Sequence, residues 1–111
     1  YSRCSTCRKA LAWLDANHLA YEVVDITMTP PSKEELLRAF DRLARRQLLF
    51  NTSGQSYRAL GAEVVKAMTD DDALAALAAD GRLIKRPFVA LPSGDFLVGF
   101  KPVDWNQALL G

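Results

Sequence analysis

The chain is poor in the residues that build metal centres, disulfide scaffolds and membrane spans. It has two cysteines and one histidine among 111 residues. A zinc site takes about four ligands. The good ones here are Cys4, Cys7 and His18, with His18 at the far end of the first helix expected below. A lone close pair of cysteines fits a reducing cytoplasm better than a disulfide-stapled secreted domain, so a cytoplasmic location is expected. No apolar run approaches the ~20 residues of a membrane span, and no secretory leader is visible. A net charge of +1 gives no electrostatic case for direct nucleic-acid or membrane binding. There is no repeat and no low-complexity tract. What remains is 50% hydrophobic and 24% charged, ordinary for one globular domain spanning 1–111 with a single core.

Against that background the two cysteines carry the information. Cys4-Ser5-Thr6-Cys7 is a C-x-x-C, flanked by Arg3, Arg8 and Lys9, and followed by the helix-forming stretch Ala10-Leu11-Ala12-Trp13-Leu14. A cysteine in the first turn of a helix faces unsatisfied N–H groups and the positive end of the helix dipole, and both favour thiolate over thiol. A second cysteine three residues on is near enough to close a disulfide. That is a redox dithiol, whose reactive species is the thiolate. The competing readings are a structural bridge and half a zinc site. A bridge over so short a loop constrains the unfolded chain little, and the ligand set for zinc is short.

Helical spacing of Leu11, Leu14 and His18 predicts a first helix from Thr6 or Cys7 to about His18, with Trp13 as packing and His18 as a helix-end residue. Tyr21-Glu22-Val23-Val24-Asp25-Ile26 reads as a strand. Thr29-Pro30-Pro31 ends it. Ser32 and Glu35 form a capping-box signature for a second helix whose apolar face is Leu36, Leu37, Phe40, Leu43 and Ala44. Its charges, Lys33, Arg38, Asp41, Arg42, Arg45 and Arg46, read as a solvated face. Short helices are expected near Tyr57–Leu60 and Glu63–Met68, and another from a Thr69 cap to Ala79, ended by Asp80-Gly81. Asp70, Asp71 and Asp72 suit the dipole of that first turn and are not read as a metal site. Phe88–Leu91 and Phe96–Val98 read as a hairpin across Pro92-Ser93-Gly94-Asp95, and Val103–Leu110 as a last helix.

The order predicts an α/β, thioredoxin-like (glutaredoxin-like) fold: a mixed sheet flanked by helices, with a helical insertion over about 32–80. That fold needs a strand before the dithiol, and a strand takes about five residues. Only Tyr1, Ser2 and Arg3 precede Cys4, so a short strand encoded before Tyr1 is expected.

Arg3-Cys4-Ser5-Thr6-Cys7-Arg8-Lys9-Ala10, the Phe50-Asn51-Thr52-Ser53-Gly54 loop with Tyr57, Asp80-Gly81-Arg82-Leu83-Ile84-Lys85-Arg86-Pro87 and Val98-Gly99-Phe100-Lys101 resemble the arsenate reductase (ArsC)/Spx family, in order along the chain. The closest-looking branch is the ArsC-like bacterial proteins with a C-x-x-C. The resemblance implies that Cys4 is the catalytic cysteine and Cys7 the second cysteine of the Spx redox switch. It implies that Arg86 holds an oxyanion and stabilises the thiolate, and that Pro87 is a cis-proline beside the dithiol. Ser5, Thr6, Arg8, Asn51, Pro87 and Gly99 are the implied substrate-binding positions. Arsenate reductases of this type use three arginines around the oxyanion. By motif alignment Arg86 remains, Asn51 stands where the second should be and Gly99 where the third should be. Arginine offers a permanent charge and paired donors. Losing two such contacts, at about 1.5–3 kcal/mol each, weakens oxyanion affinity by a few orders of magnitude. Arg8, Lys9, Arg58 and Arg82 are the cations that could compensate.

Three functions follow. The first is a thiol–disulfide oxidoreductase in which Cys4 attacks and Cys7 resolves. The second is a glutaredoxin-dependent arsenate reductase, and the third an Spx-like redox-switched regulator that binds RNA polymerase. The expected set is no bound cofactor, with glutathione and glutaredoxin or thioredoxin as electron donor. Expected partners are a thiol or disulfide donor protein and a small oxyanion, with RNA polymerase only under the regulator reading.

Overall fold

The computed structural model describes residues 4–43 and 46–110. Arg3, Ala44, Arg45 and the rest of the N-terminal stretch, to which roles were given above, lie outside the described residues. Helix α1 runs Ser5–Ala16. It ends where the Leu19 N–H reaches back to the Leu14 carbonyl and the His18 N–H to that of Asp15, with His18 at φ 56°. This pair of bonds is the Schellman closure, with histidine in the left-handed position usually held by glycine. Helix α2 spans Lys33–Arg42, and both halves of its Ser32/Glu35 capping box are formed. A 3-10 turn, Arg46–Leu49, leads to two short helices, α3 (Gln55–Leu60) and α4 (Ala62–Ala67). Helix α5 (Asp70–Ala79) starts at the Thr69 cap, whose hydroxyl accepts the Asp72 N–H. A second 3-10 turn, Gly81–Leu83, precedes strands β1 (Phe88–Ala90) and β2 (Phe96–Val98), and helix α6 (Pro102–Leu109) closes the chain.

The hairpin is the hinge of the architecture. Its strands pair antiparallel with Phe88 opposite Val98 and Ala90 opposite Phe96. Side chains alternate across a strand, and here each face meets a different apolar cluster. Phe88, Phe96 and Val98 pack on the helical block α2–α5, whose buried centre includes Leu36, Ala39, Leu77, Leu83 and Ile84. Val89 and Leu97 pack on the other side with α1 and α6, around Ala10, Leu14 and Trp105. The hairpin therefore sits between the helical block and the dithiol helix.

Three expectations need correction. Residues 21–26 form no strand: among the described residues no strand ladder includes this segment, and Tyr21, Val23 and Val24 are 41%, 60% and 59% exposed. β-branched residues favour a strand because they fit a pleated, half-covered surface; here only Ile26 packs on the helical block, and among the described residues no strand lies beside the segment. Leu37 is exposed, and Ala39 takes the buried place instead, since Leu36, Ala39, Phe40 and Leu43 make the i, i+3, i+4, i+7 stripe and Leu37 falls off it. Arg46 is not on a solvated face. Its side chain is 16% exposed, donates to the Val65 and Met68 carbonyls at the end of α4, and pairs with Asp70 at 2.8 Å. It thereby caps the Met68 carbonyl at the helix end and adds a second donor to the Val65 carbonyl, which already accepts the Met68 N–H.

Candidate active site

The site starts with the first turn of α1. Cys4 is its cap, in extended conformation, and its sulfur accepts the Cys7 N–H at 3.2 Å. A sulfur in the capping place receives one of the donors that the helix cannot use itself. No acidic side chain stands in that turn, so nothing there offsets the dipole. The Sγ atoms of Cys4 and Cys7 lie 2.5 Å apart in a disulfide, with Cα atoms 5.2 Å apart. Both cysteines are partly exposed.

Opposite the helix start, two chain segments run antiparallel. The Lys85 N–H donates to the Leu49 carbonyl and the Asn51 N–H to that of Leu83, each at 2.7 Å, around the Phe50–Ile84 bridge. This pairing carries Asn51, Lys85 and Arg86 to the dithiol. The Asn51 amide then lies over Gly54: a Cβ at residue 54 would come within 2.6 Å of Asn51 Nδ2. The Ser53 hydroxyl donates to Asn51 Oδ1 at 3.2 Å. The need for glycine in the Phe-Asn-Thr-Ser-Gly loop is thus the room it leaves for asparagine.

The third wall is the end of β2. Gly99 is buried at φ +73°, a conformation that suits glycine. Its N–H donates to the Pro87 carbonyl at 2.9 Å, and its carbonyl accepts the Trp105 indole N–H at 3.1 Å. Trp105 stacks edge-on against Phe100 and Trp13, with ring centroids 4.9 and 5.8 Å away. One buried tryptophan therefore ties the dithiol helix, through Trp13, to the backbone at Gly99. The Arg86-Pro87 peptide is cis.

These walls enclose an open cleft of about 470 Å³. It takes in Cys4, Ser5, Thr6, Asn51, Arg86 and Gly99 of the residues picked from the sequence. Cys7, Arg8 and Pro87 do not line it: Cys7 is tied to Cys4, Arg8 is exposed on the helix and Pro87 meets Gly99 through its carbonyl. The cleft adds Lys85 and Lys101, for which no role was read. Lys85 had been visible as the neighbour of Arg86, but the pairing that brings it to the cleft has no periodic signature. A second cleft of about 440 Å³ shares Asn51 and Arg86 and reaches Arg82. Of the four cations considered as substitutes, only Arg82 lines either cleft among the described residues. The Nη1 atom of Arg86 is buried. Its charge reaches Asp25, whose carboxyl is held below the usual range. The first cause is the Thr27 hydroxyl at 2.6 Å, then the Thr27 N–H at 3.0 Å, with Arg86 adding in the same direction.

The chain is similar to known proteins along nearly its whole length. The sequence profile of the ArsC family matches residues 1–108. The chain belongs to the ArsC family. The chain is 41% identical over 109 residues to the uncharacterized protein YusI of Bacillus subtilis, an alignment covering 96% of this chain and 92% of YusI. An arsenate reductase of Neisseria meningitidis is 35% identical over 111 residues, covering 97% and 92%. Among solved structures, an ArsC family related protein from Bacteroides fragilis superposes with a TM-score of 0.88 at 38% identity, over 96% and 91% of the two chains. The ArsC family fold is therefore shared along the chain, including the helical block and the hairpin. Among the described residues no helix is long and apolar enough to cross a membrane.

Proposed function

We propose that this ArsC family chain is a thiol–disulfide oxidoreductase using Cys4 and Cys7 as its dithiol. The observation that carries the reading is the Cys4–Cys7 disulfide at the start of α1, with the Cys4 sulfur on a helix N–H and Arg86 in the same cleft as Cys4. In the reduced form the Cys4 thiolate attacks one sulfur of a substrate disulfide. A mixed disulfide forms and the other substrate sulfur leaves as a thiolate. Cys7 then attacks the Cys4 sulfur, releases the second substrate thiolate and closes the Cys4–Cys7 disulfide. Two electrons have passed from the dithiol to the substrate. Two thiols of a donor, glutathione with glutaredoxin or thioredoxin, reverse the exchange and reset the site. Arg86 holds the thiolate or an anionic substrate group, and Ser5, Thr6, Asn51 and Gly99 shape the floor.

Disulfide exchange is favoured over arsenate reduction because Asn51 is neutral and Gly99 offers backbone alone. It is favoured over an Spx-like switch because Cys4 opens into a cleft large enough for a small molecule. Purified protein is assayed with a small disulfide and glutathione, and separately with arsenate, glutathione and glutaredoxin. The disulfide is turned over, and Cys7→Ser accumulates a mixed disulfide on Cys4. Turnover of arsenate with no disulfide exchange selects the arsenate reductase. Inertness in both assays with capture of RNA polymerase selects the regulator.

A further inference from the structure

We infer that Lys85 is a second anion-holding residue of this cleft, seated over Gly99, so that the substrate brought to Cys4 carries a negative oxygen group. The inference rests on the cleft being the reactive site. Lys85 and Arg86 are consecutive, yet both line the cleft that contains Cys4. The Lys85 backbone is fixed by its 2.7 Å bond to the Leu49 carbonyl. Its side chain is placed by what residue 99 lacks. A Cβ there would lie 3.0 Å from Lys85 Cε and 3.6 Å from its Nζ. The bare α-carbon of Gly99 is thus the surface along which the lysine stem runs, and its ammonium lies at the cleft wall. Lys101 completes a set of three cations, and no described residue lining the cleft is acidic. Cations gathered in a concavity focus a positive potential on whatever enters, and Asp25, the carboxylate that Arg86 reaches, is not among the lining residues.

Lysine is a point charge with rotatable donors and sets no fork geometry. The chemistry it selects is an oxyanion or carboxylate, either as a free inorganic ion or as the acid group of a small thiol compound. Cys7→Ser protein supplies a single reactive thiol at Cys4. Its alkylation by neutral iodoacetamide is followed at constant ionic strength, with rising sulfate in one arm and rising S-methylglutathione in the other. Protection is expressed relative to the same variant without anion, which cancels any change in thiolate fraction. At least one anion is expected to protect Cys4. Lys85→Gln raises its half-protecting concentration about tenfold, and Lys85→Arg stays within about threefold of Lys85. Protection by sulfate identifies the free ion, and protection by S-methylglutathione alone identifies the acid-bearing thiol compound. Protection unchanged in Lys85→Gln overturns the inference, and so does the absence of protection by either anion. The Lys85 side chain is exposed, so these variants are expected to fold, and matching circular dichroism checks it. A thiol count after glutathione disulfide tests the dithiol separately, so the two ideas fail independently.

Discussion

The two apolar clusters on either side of the hairpin are built differently. Among the described residues the helical block buries ten, nearly all aliphatic, from five segments of chain. The dithiol side buries three, Ala10, Leu14 and Trp105, and leans on edge-on aromatic contacts among Trp13, Phe100 and Trp105. The block is redundant, whereas the dithiol side depends on one indole that both packs and hydrogen-bonds. The chemistry stands on the thinner cluster, where the cleft walls converge. The block supplies the rigid edge that carries Asn51, Lys85 and Arg86.

The sharpest way to break that contrast is to empty one site on each side. Trp105→Ala is expected to cost about 3–5 kcal/mol, the range for a large buried aromatic, and to change the alkylation rate of Cys4, because it frees the Gly99 carbonyl and the Trp13 ring together. Leu36→Ala, at a fully buried position of the block, is expected to cost about 3 kcal/mol and leave the Cys4 rate unchanged while the protein stays folded. Denaturant melts paired with alkylation kinetics read both. Equal effects on Cys4 would mean that the clusters act as one.

A smaller effect is expected at Arg46, which belongs to the block alone. Arg46→Met removes two donors from the carbonyls at the end of α4 and the pair with the exposed Asp70, and should cost about 1–2 kcal/mol, almost all through the carbonyls. Cys4 reactivity should not move. The smallest concerns Asp25, held by Thr27. Its folded-state carboxyl lies below its unfolded value of about 3.9. The stability it contributes is therefore present above about pH 4 and is lost as pH falls through the depressed folded value. Thr27→Val should lower stability at neutral pH, and its difference from Thr27 should shrink in acid. A difference that grows in acid would contradict the sign.

Much of this was legible in the residues. The Ser32/Glu35 capping box, the Thr69 cap, the hairpin and the dithiol at a helix start are local devices, written within a few positions of sequence. The segment at Tyr21 is rich in the β-branched and aromatic residues that also make the hairpin strands, but a strand is made by its neighbours, and none of the described residues forms a ladder with it. The place of Arg46 was hidden for a similar reason, since its partners are about twenty positions away. So was Lys85, whose role depends on an antiparallel contact between residues 49–51 and 83–85 and on the missing side chain at Gly99. Gly81 follows the same rule. A Cβ there would overlap the Ile26 carbonyl, so it is a close approach of two distant segments that asks for glycine, which a helix-ending motif does not reveal.

The central claim is that the helix start and its basic surroundings make Cys4 the reactive thiol and Cys7 its resolving partner. The most direct measurement is the pH dependence of iodoacetamide labelling at each cysteine of the reduced protein, resolved by peptide mass. Cys4 is expected to label first, with a midpoint below the ~8.5 of an ordinary cysteine. Labelling of Cys7 ahead of Cys4, or a Cys4 midpoint at or above ~8.5, would contradict the assignment.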